Sequence, residues 1–178
     1  MGLRNSEALC RMSEEKKWYA IYTRPRWEKK VAGLLEIAGI EHYCPLNKVM
    51  KQWSDRKKIV LEPLFKGYVF VSVTENKKWD IKKIDGILNY VYWLGKPAVV
   101  KETEIETIKK FLQEFTDVHV TSTGIKISNQ VLIKQGVLMN YRGIIMEVSG
   151  SRAKVKIISM GLELSAYFDK KNLEKVGI

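Results

Sequence analysis

The chain has 178 residues, 46% of them hydrophobic, which suits one modest globular domain or two small ones. Its longest stretch without a charged residue, 86–95, is about half of the roughly twenty apolar residues that a membrane-spanning helix needs. The sequence therefore predicts a protein without a transmembrane segment. Its two cysteines, Cys10 and Cys44, cannot form a disulfide framework, and this predicts a reduced, cytoplasmic protein.

The chain is strongly basic, with 31 lysines and arginines against 20 acidic residues and a formal net charge of +11. An excess of this size favours a polyanionic partner such as nucleic acid. Two local clusters stand out. The first comprises Arg24, Arg26, Lys29 and Lys30, and the second comprises Lys48, Lys51, Arg56, Lys57 and Lys58.

The first predicted elements are a strand and a helix. Residues 18–23 are mainly aromatic and β-branched, which predicts a buried strand that ends at Arg24-Pro25. From Trp27 to Ala38 the apolar residues recur at helical spacing, so we expect a helix with one buried face. Gly39 is placed to end this helix in the left-handed conformation.

The next elements predict a sheet covered by helices. Two extended segments, 40–53 and 57–64, flank a polar turn and predict a hairpin with a basic tip. Residues 67–73 form the most strand-like run, and a short helix is expected near 75–83 with Trp79 packed on the sheet. Two further strands precede a helix over 103–115, capped by Thr103. This order indicates an α+β domain with helices on one face of a mainly antiparallel sheet.

The second half of the chain predicts a linker and a small barrel. Residues 116–129 lack a strong period and are rich in Ser, Thr and Gly, as linkers are. Short strands separated by glycines then indicate an SH3-like barrel. The expected organisation is an N-terminal extension (1–16), an α+β domain (17–115), a linker (116–129) and an all-β barrel (130–178).

The sequence holds no pattern that predicts an enzyme. It lacks a nucleophile elbow, a phosphate-binding loop, a paired-carboxylate motif and a zinc-binding HExxH motif. His42 and His119 are isolated from any cysteine or carboxylate at ligand spacing. We therefore expect no catalysis, no metal and no cofactor.

Three motifs carry a resemblance to a known family. They are the opening WYAIYTRPRWEKKVAGLL, the strand EPLFKGYVFV and the segment VLIKQGVLMNYRGIIMEV, which is similar to a KOW motif. In this order and spacing they resemble the NusG family of transcription elongation factors, although Lys66 stands where the family usually has proline. The N-terminal extension and the long basic hairpin are more similar to the specialised RfaH and UpxY-type antiterminators of polysaccharide operons.

The resemblance implies a non-catalytic factor that binds RNA polymerase. Positions that match Tyr22, Phe65, Tyr68 and Phe70 line the family's pocket for the polymerase clamp helices. From composition alone, these aromatic residues would more simply be core. Lys77 and Lys78 match the stretch that touches the opposite side of the polymerase cleft.

The resemblance also implies a nucleic-acid contact, to non-template DNA or nascent RNA. Positions that match Arg24 and Lys30 face the exposed DNA strand, and Arg26 lies between them. We extend this expectation to a basic hairpin group, in which the indole would stack on a base. A solubilising loop tip is the alternative for this group: Lys48, Lys51, Trp53, Arg56, Lys57 and Lys58.

The barrel contributes two further expectations. Gly136 and Gly143 belong to the KOW-like motif and are expected to provide turn geometry. Met160 and Leu162 lie where the general factor contacts ribosomal protein S10 or Rho, although the residue types differ. The expected function is processive elongation or antitermination on particular operons. The alternatives are a general NusG housekeeping factor and a ribosome- or RNA-binding KOW protein without polymerase contact.

Overall fold

The computed structural model describes residues 15–122 and 130–176. Most of the predicted N-terminal extension, the second half of the predicted linker and the last two residues lie outside this range. The described residues form two compact units. The first contains residues 15–44 and 65–102, and the second contains residues 45–64 and 103–176.

The helices and strands follow one another in an order close to that predicted. In chain order they are β1 (Lys17–Thr23), α1 (Glu28–Ile37), β2 (Glu41–Tyr43), β3 (Leu46–Gln52), β4 (Lys57–Pro63), β5 (Tyr68–Val73), a 3₁₀ turn (Glu75–Lys77), α2 (Lys78–Ile81), β6 (Ile87–Tyr90), β7 (Tyr92–Trp93), β8 (Lys96–Pro97), β9 (Val99–Val100), α3 (Glu102–Glu114), β10 (His119–Ser122), β11 (Gln130–Ile133), β12 (Arg142–Ser149), β13 (Arg152–Ser159), β14 (Leu162–Asp169), a second 3₁₀ turn (Lys170–Asn172) and β15 (Leu173–Lys175).

The first unit is built on an antiparallel sheet in the order β2-β5-β1-β6, with β9 also paired to β1. Alternation along β1 and β5 places Ile21 and Val71 on the same face. That face packs with Val31 and Leu35 of α1 and forms the core of the unit. The expected α+β arrangement, with helices packed on an antiparallel sheet, is therefore confirmed.

The end of α1 follows the prediction. Gly39 has φ +64, and its N–H donates to the Glu36 carbonyl at 2.9 Å. The N–H of Ile40 donates to the Leu35 carbonyl at 2.9 Å, which completes a Schellman motif. Only a residue that accepts positive φ easily can end the helix in this way, so Gly39 fixes the point where the chain turns toward β2.

The second unit is a β-rich unit with one helix. Its six-stranded antiparallel sheet has the order β10-β14-β13-β12-β11-β15, and β3 and β4 form a separate two-stranded hairpin. The ring of Phe168 in β14 lies 4.3 Å from that of Phe115 and 6.4 Å from that of Phe111. Glu114 accepts the Val137 N–H at 2.9 Å. These contacts join α3 to the six-stranded sheet and its loops, which we name the barrel after the predicted fold.

The division into units differs from the predicted domain boundaries because the hairpin and α3 group with the barrel. The buried Asn47 side chain donates to the Val118 carbonyl at 2.8 Å and accepts the Val118 N–H at 3.1 Å. The described start of the predicted linker also differs, since His119–Ser122 pairs with β14 as a strand. Sequence periodicity could not show this pairing, because the partner residues lie forty or more positions away.

Two local expectations are corrected. Trp79 was expected to pack on the sheet, but its side chain is 70% exposed, and Ile81 is the buried residue of α2. Helix α3 begins at Glu102, so Thr103 lies inside it and does not cap it.

Within the described residues, no helix is long and apolar enough to cross a membrane.

Two glycines of the first unit should respond oppositely to replacement by alanine. Gly86 has φ +89, and an added Cβ would lie 2.6 Å from Cε3 of Trp27, so Gly86→Ala should lower the free energy of unfolding by about 1–3 kcal/mol. Gly33, inside α1, has no neighbouring atom within 4 Å of such a Cβ. Gly33→Ala should therefore stabilise by about 0.5–1 kcal/mol. Urea unfolding measures both changes, and equal stability of the Gly86 variant and the parent would contradict the packing of Trp27.

Candidate functional site

The predicted aromatic residues meet at one end of the β1–β5 pair. Tyr22 lies directly opposite Tyr68, and their ring centroids are 4.9 Å apart. Tyr22 is 38% exposed and Tyr68 is half-buried. Phe65 and Phe70 are buried and meet edge to face at 5.8 Å. The two tyrosines are therefore accessible to a partner, whereas the two phenylalanines are buried and contact each other.

These aromatic side chains occupy the face of the sheet opposite the α1 core. Tyr68 and Phe70 share that face, as the period of two predicts, while Val69 and Val71 point into the core. Tyr43 of β2 lies opposite Phe70 and stacks on it with centroids 6.5 Å apart. We name the four residues Tyr22, Phe65, Tyr68 and Phe70 the aromatic face.

The tyrosine hydroxyls give the aromatic face a polar edge. The hydrogen bond with Tyr22, together with burial, raises the pKa of Tyr68, so its hydroxyl stays protonated at neutral pH. Burial also raises the pKa of Tyr43 to about 12. A surface of neutral phenols combines apolar area with hydrogen-bonding groups, which suits a partly hydrated protein interface.

Glu28 is a supporting residue that the sequence interpretation did not find. Its carboxylate is buried and accepts the N–H of Gly67 at 2.6 Å. Gly67 has φ +80 and immediately precedes Tyr68, so this bond fixes the turn that presents Tyr68. An acidic residue in the first turn of a helix is an ordinary pattern, and nothing in the sequence distinguishes this buried acceptor from a solvated one.

The first basic cluster is organised around Trp27. Lys30 Nζ lies 3.6 Å from the Trp27 ring centroid, and the Arg24 guanidinium carbon lies 5.1 Å from it. Arg24 also pairs with Asp85 at 3.3 Å. Both cations are exposed, as is Arg26, which has φ +66. The structure therefore brings Arg24 and Lys30 to one place and gives each a contact within the protein.

The hairpin places its predicted nucleic-acid group on an exposed ribbon. Every residue from 50 to 59 is exposed, and Trp53 at the tip is 58% exposed. The Trp53 N–H donates to the Arg56 carbonyl at 2.9 Å and closes the turn. Lys51 pairs with Glu62 across the strands. The expected basic tip is present, but its lysines point to two different faces.

The lysines at α2 differ in their surroundings. Lys78 donates to Glu75 at 2.6 Å and lies 4.5 Å from the Tyr19 ring centroid. Burial acts to lower the pKa of Lys78, but the bonds to Glu75 and Tyr19 outweigh it and raise the pKa. Lys78 is thus held by the first unit, whereas Lys77 is exposed beside the exposed Trp79.

The four candidate residues of the barrel have different structural surroundings. Gly136 has φ +88 and provides turn geometry as expected. Gly143 lies inside β12, where an added Cβ would collide with the Val155 side chain, so close packing is its constraint. Met160 has φ +56, and its N–H donates to Glu104 of α3 at 3.1 Å. Leu162 is half-buried.

Comparison with known proteins agrees with this architecture. The family model described as transcription termination factor nusG matches residues 16–109, which is more than half of the chain. An antiparallel α+β unit and a β-rich unit are the architecture of the NusG class of proteins, and the family match assigns the chain to this class. The chain belongs to the NusG family of transcription factors.

Individual relatives are distant but cover most of the chain. The transcription termination/antitermination protein NusG of Bacillus subtilis is 27% identical, over 80% of this chain and 88% of its own. That of Chlamydia trachomatis is 26% identical, over 80% and 84%. The solved NusG structure of Thermotoga maritima matches with a TM-score of 0.61 and 24% identity over 92% of this chain and 98% of its own, and it supports the fold.

Cys44 reports on the packing of the α1 core, against which it lies partly buried. Burial and the Glu28 charge raise the pKa of its thiol to about 11, although Lys29 opposes them. In a Cys10→Ser variant, the folded protein should therefore react with iodoacetamide at pH 8 about 100-fold more slowly than an exposed thiol. Unfolding in urea should remove the protection. A Cys10→Ser/Cys44→Ser variant gives the background, and equal rates for folded and unfolded protein would contradict the burial of Cys44.

Proposed function

We propose that this protein is a transcription elongation and antitermination factor that binds RNA polymerase through its aromatic face. The accessible Tyr22–Tyr68 pair is the observation that carries the proposal, because a monomeric fold does not require two tyrosines at a half-open edge. Its relatives in Chlamydia trachomatis and Bacillus subtilis are transcription termination/antitermination proteins, which supports the same role. The protein would act in the cytoplasm by binding and without catalysis.

Each part of the aromatic face has a distinct role in this proposal. Tyr22 and Tyr68 contact the clamp helices of the polymerase with ring faces and hydroxyls, while the buried Phe65 and Phe70 pack against each other in the same aromatic face. On the opposite side of the polymerase cleft, Lys77 makes the contact, because the ammonium group of Lys78 already donates to Glu75. We add the exposed Trp79 to this second contact, since its indole is the larger apolar surface there.

The proposed mechanism is mechanical. A factor that bridges the two sides of the cleft stabilises the closed, active polymerase relative to the paused one. Only differential affinity shifts such an equilibrium, and about 1.4 kcal/mol changes the ratio of the two states tenfold. Modest contacts are therefore sufficient for a large effect on pausing.

Arg24 and Lys30 are proposed to contact the phosphates of the non-template DNA strand. The Arg24–Asp85 pair is exposed, and exposed pairs contribute about 0–1 kcal/mol, so a phosphate can replace the carboxylate at small cost. Trp27 keeps both cations together and limits the entropy lost on binding. Nascent RNA offers the same phosphate chemistry and is the alternative ligand.

The barrel is proposed to recruit a second factor, ribosomal protein S10 or Rho, through the turn at Met160 and Leu162. In the structure Glu104 accepts the Met160 N–H, so a factor that uses this N–H would compete with Glu104. Action on particular polysaccharide-type operons is part of the proposal and is supported by the long basic hairpin.

Replacement of Tyr68 tests polymerase binding. Tyr68→Ala should weaken binding to core RNA polymerase by about 2 kcal/mol or more, roughly 30-fold, because it removes a central aromatic anchor. Tyr92→Ala removes an exposed tyrosine elsewhere on the first unit and should bind like the parent. Binding is measured with purified components at matched salt. Parent-like affinity of a folded Tyr68→Ala protein would exclude the aromatic face as the polymerase site.

Charge reversal tests the DNA contact. Arg24→Glu with Lys30→Glu should reduce pause suppression in transcription in vitro while leaving affinity for core polymerase within about twofold, since phosphate contacts act on the assembled complex. Lys96→Glu, at an exposed position on β8, controls for the change of charge. An unchanged pause profile would show that the two cations do not contact the DNA strand, which would leave them only their contacts within the protein. Lost polymerase binding would place them in the protein interface instead.

A further inference from the structure

The pairing of β3 with β4 sorts the hairpin side chains into two faces that the sequence does not distinguish. Residues directly opposite each other in an antiparallel pair point to the same side. One side, which we name the apolar face, carries Lys48, Met50, Gln52, Lys57, Ile59 and Leu61. The other side, which we name the basic face, carries Asn47, Val49, Lys51, Lys58, Val60 and Glu62.

The apolar face exposes an aliphatic stripe to solvent. Met50 lies directly opposite Ile59, and these side chains are 61% and 63% exposed. Leu61, the next residue on this face, is also exposed. Single exposed apolar residues are common, but three adjacent ones on one face of a ribbon form a contiguous patch.

The stripe is not what anchors the hairpin to the rest of the second unit. The hairpin is anchored at its base, where Asn47 bonds to Val118 and the Asp117 N–H donates to the Lys48 carbonyl at 2.9 Å. Beyond this base the two strands form a sheet of their own. A free two-stranded ribbon gains little stability in water from such residues, so their placement favours contact with a partner.

We propose that the apolar face docks on a protein surface of the elongation complex, namely an apolar patch of RNA polymerase edged by carboxylates. This proposal rests on the function proposed above and assigns a second polymerase contact, separate from the aromatic face. The charged residues of the apolar face are both cationic: Lys48 lies directly opposite Leu61, and Lys57 lies beyond Ile59 toward the tip. Acidic groups around an apolar patch would complement this pattern.

Two other occupants are disfavoured, a second copy of the chain by the charges of this face and nucleic acid by its aliphatic side chains. A second copy of the chain would bring like-charged lysines together when two apolar faces meet, which costs free energy. Nucleic acid is recognised by aromatic stacking and by donors to phosphates and base edges, and the aliphatic Met50, Ile59 and Leu61 offer neither. The candidate nucleic-acid contacts of the hairpin therefore lie on the basic face and at the tip, at Lys51, Lys58 and Trp53.

Two double variants on the same strands separate the faces. Met50→Thr with Ile59→Thr alters a directly opposed pair on the apolar face and places a β-branched residue, which suits a strand, at both positions. Lys51→Thr with Lys58→Thr alters the neighbouring opposed pair on the basic face and is the matched control. Each is tested for binding to core RNA polymerase and to a single-stranded oligonucleotide at matched salt, after circular dichroism has confirmed folding.

We expect the apolar-face variant to lose about tenfold or more in polymerase affinity with oligonucleotide binding unchanged. The basic-face variant should weaken oligonucleotide binding and leave polymerase affinity within about twofold. Parent-like polymerase binding by the apolar-face variant overturns the proposal. Loss of oligonucleotide binding instead would assign this face to nucleic acid, and conversion of a dimeric parent to a monomer would assign it to a second copy.

Tyr68→Ala in the same experiment distinguishes failure of the hairpin docking from failure of the proposed function. If Tyr68→Ala weakens polymerase binding and the apolar-face variant does not, the docking of the hairpin fails and the proposed function stands. If the parent does not bind polymerase, both fail together.

Discussion

The antiparallel pairing of β1 with β5 is the constraint on which the first unit depends. It aligns Ile21 with Val69 and Tyr22 with Tyr68, so that alternate side chains point into the α1 core or to the opposite face. A slip of one residue would exchange these faces and place tyrosine hydroxyls under α1. One register therefore produces both the hydrophobic core and the accessible tyrosine pair. Because the core is stable only in this register, it also fixes the geometry of the tyrosine pair.

The local elements were predictable because their causes are local. The period along Trp27–Ala38 and the position of Gly39 predict α1 and its end, and alternation in 67–73 predicts β5. The exposure of Trp79 was not predictable, since a helix of four residues gives no reliable face. Gly143 looked like a turn glycine, yet its constraint is the Val155 side chain on another strand.

The candidate site shows the same division between local and distant causes. An aromatic strand end could be read from the sequence, but not that Tyr22 and Tyr68 are accessible while Phe65 and Phe70 are buried. The role of Glu28 could not be predicted from the sequence, because its carboxylate accepts the N–H of Gly67, which lies thirty-nine residues away. Likewise, charge counting groups the hairpin lysines together, whereas only the β3–β4 register assigns them to two faces.

The proposed contacts differ in their physics, and this difference sets the order in which they act. Burial of tyrosine and aliphatic surface does not depend strongly on salt, whereas phosphate contacts by exposed cations do. Arg24 and Lys30 offer two charges at Trp27, too few for firm binding of free DNA at physiological salt. Once the apolar contacts hold the protein on the polymerase, the local concentration of DNA is high and weak contacts become effective. Under the proposed function, selectivity for a nucleic-acid element would therefore require prior assembly on the polymerase.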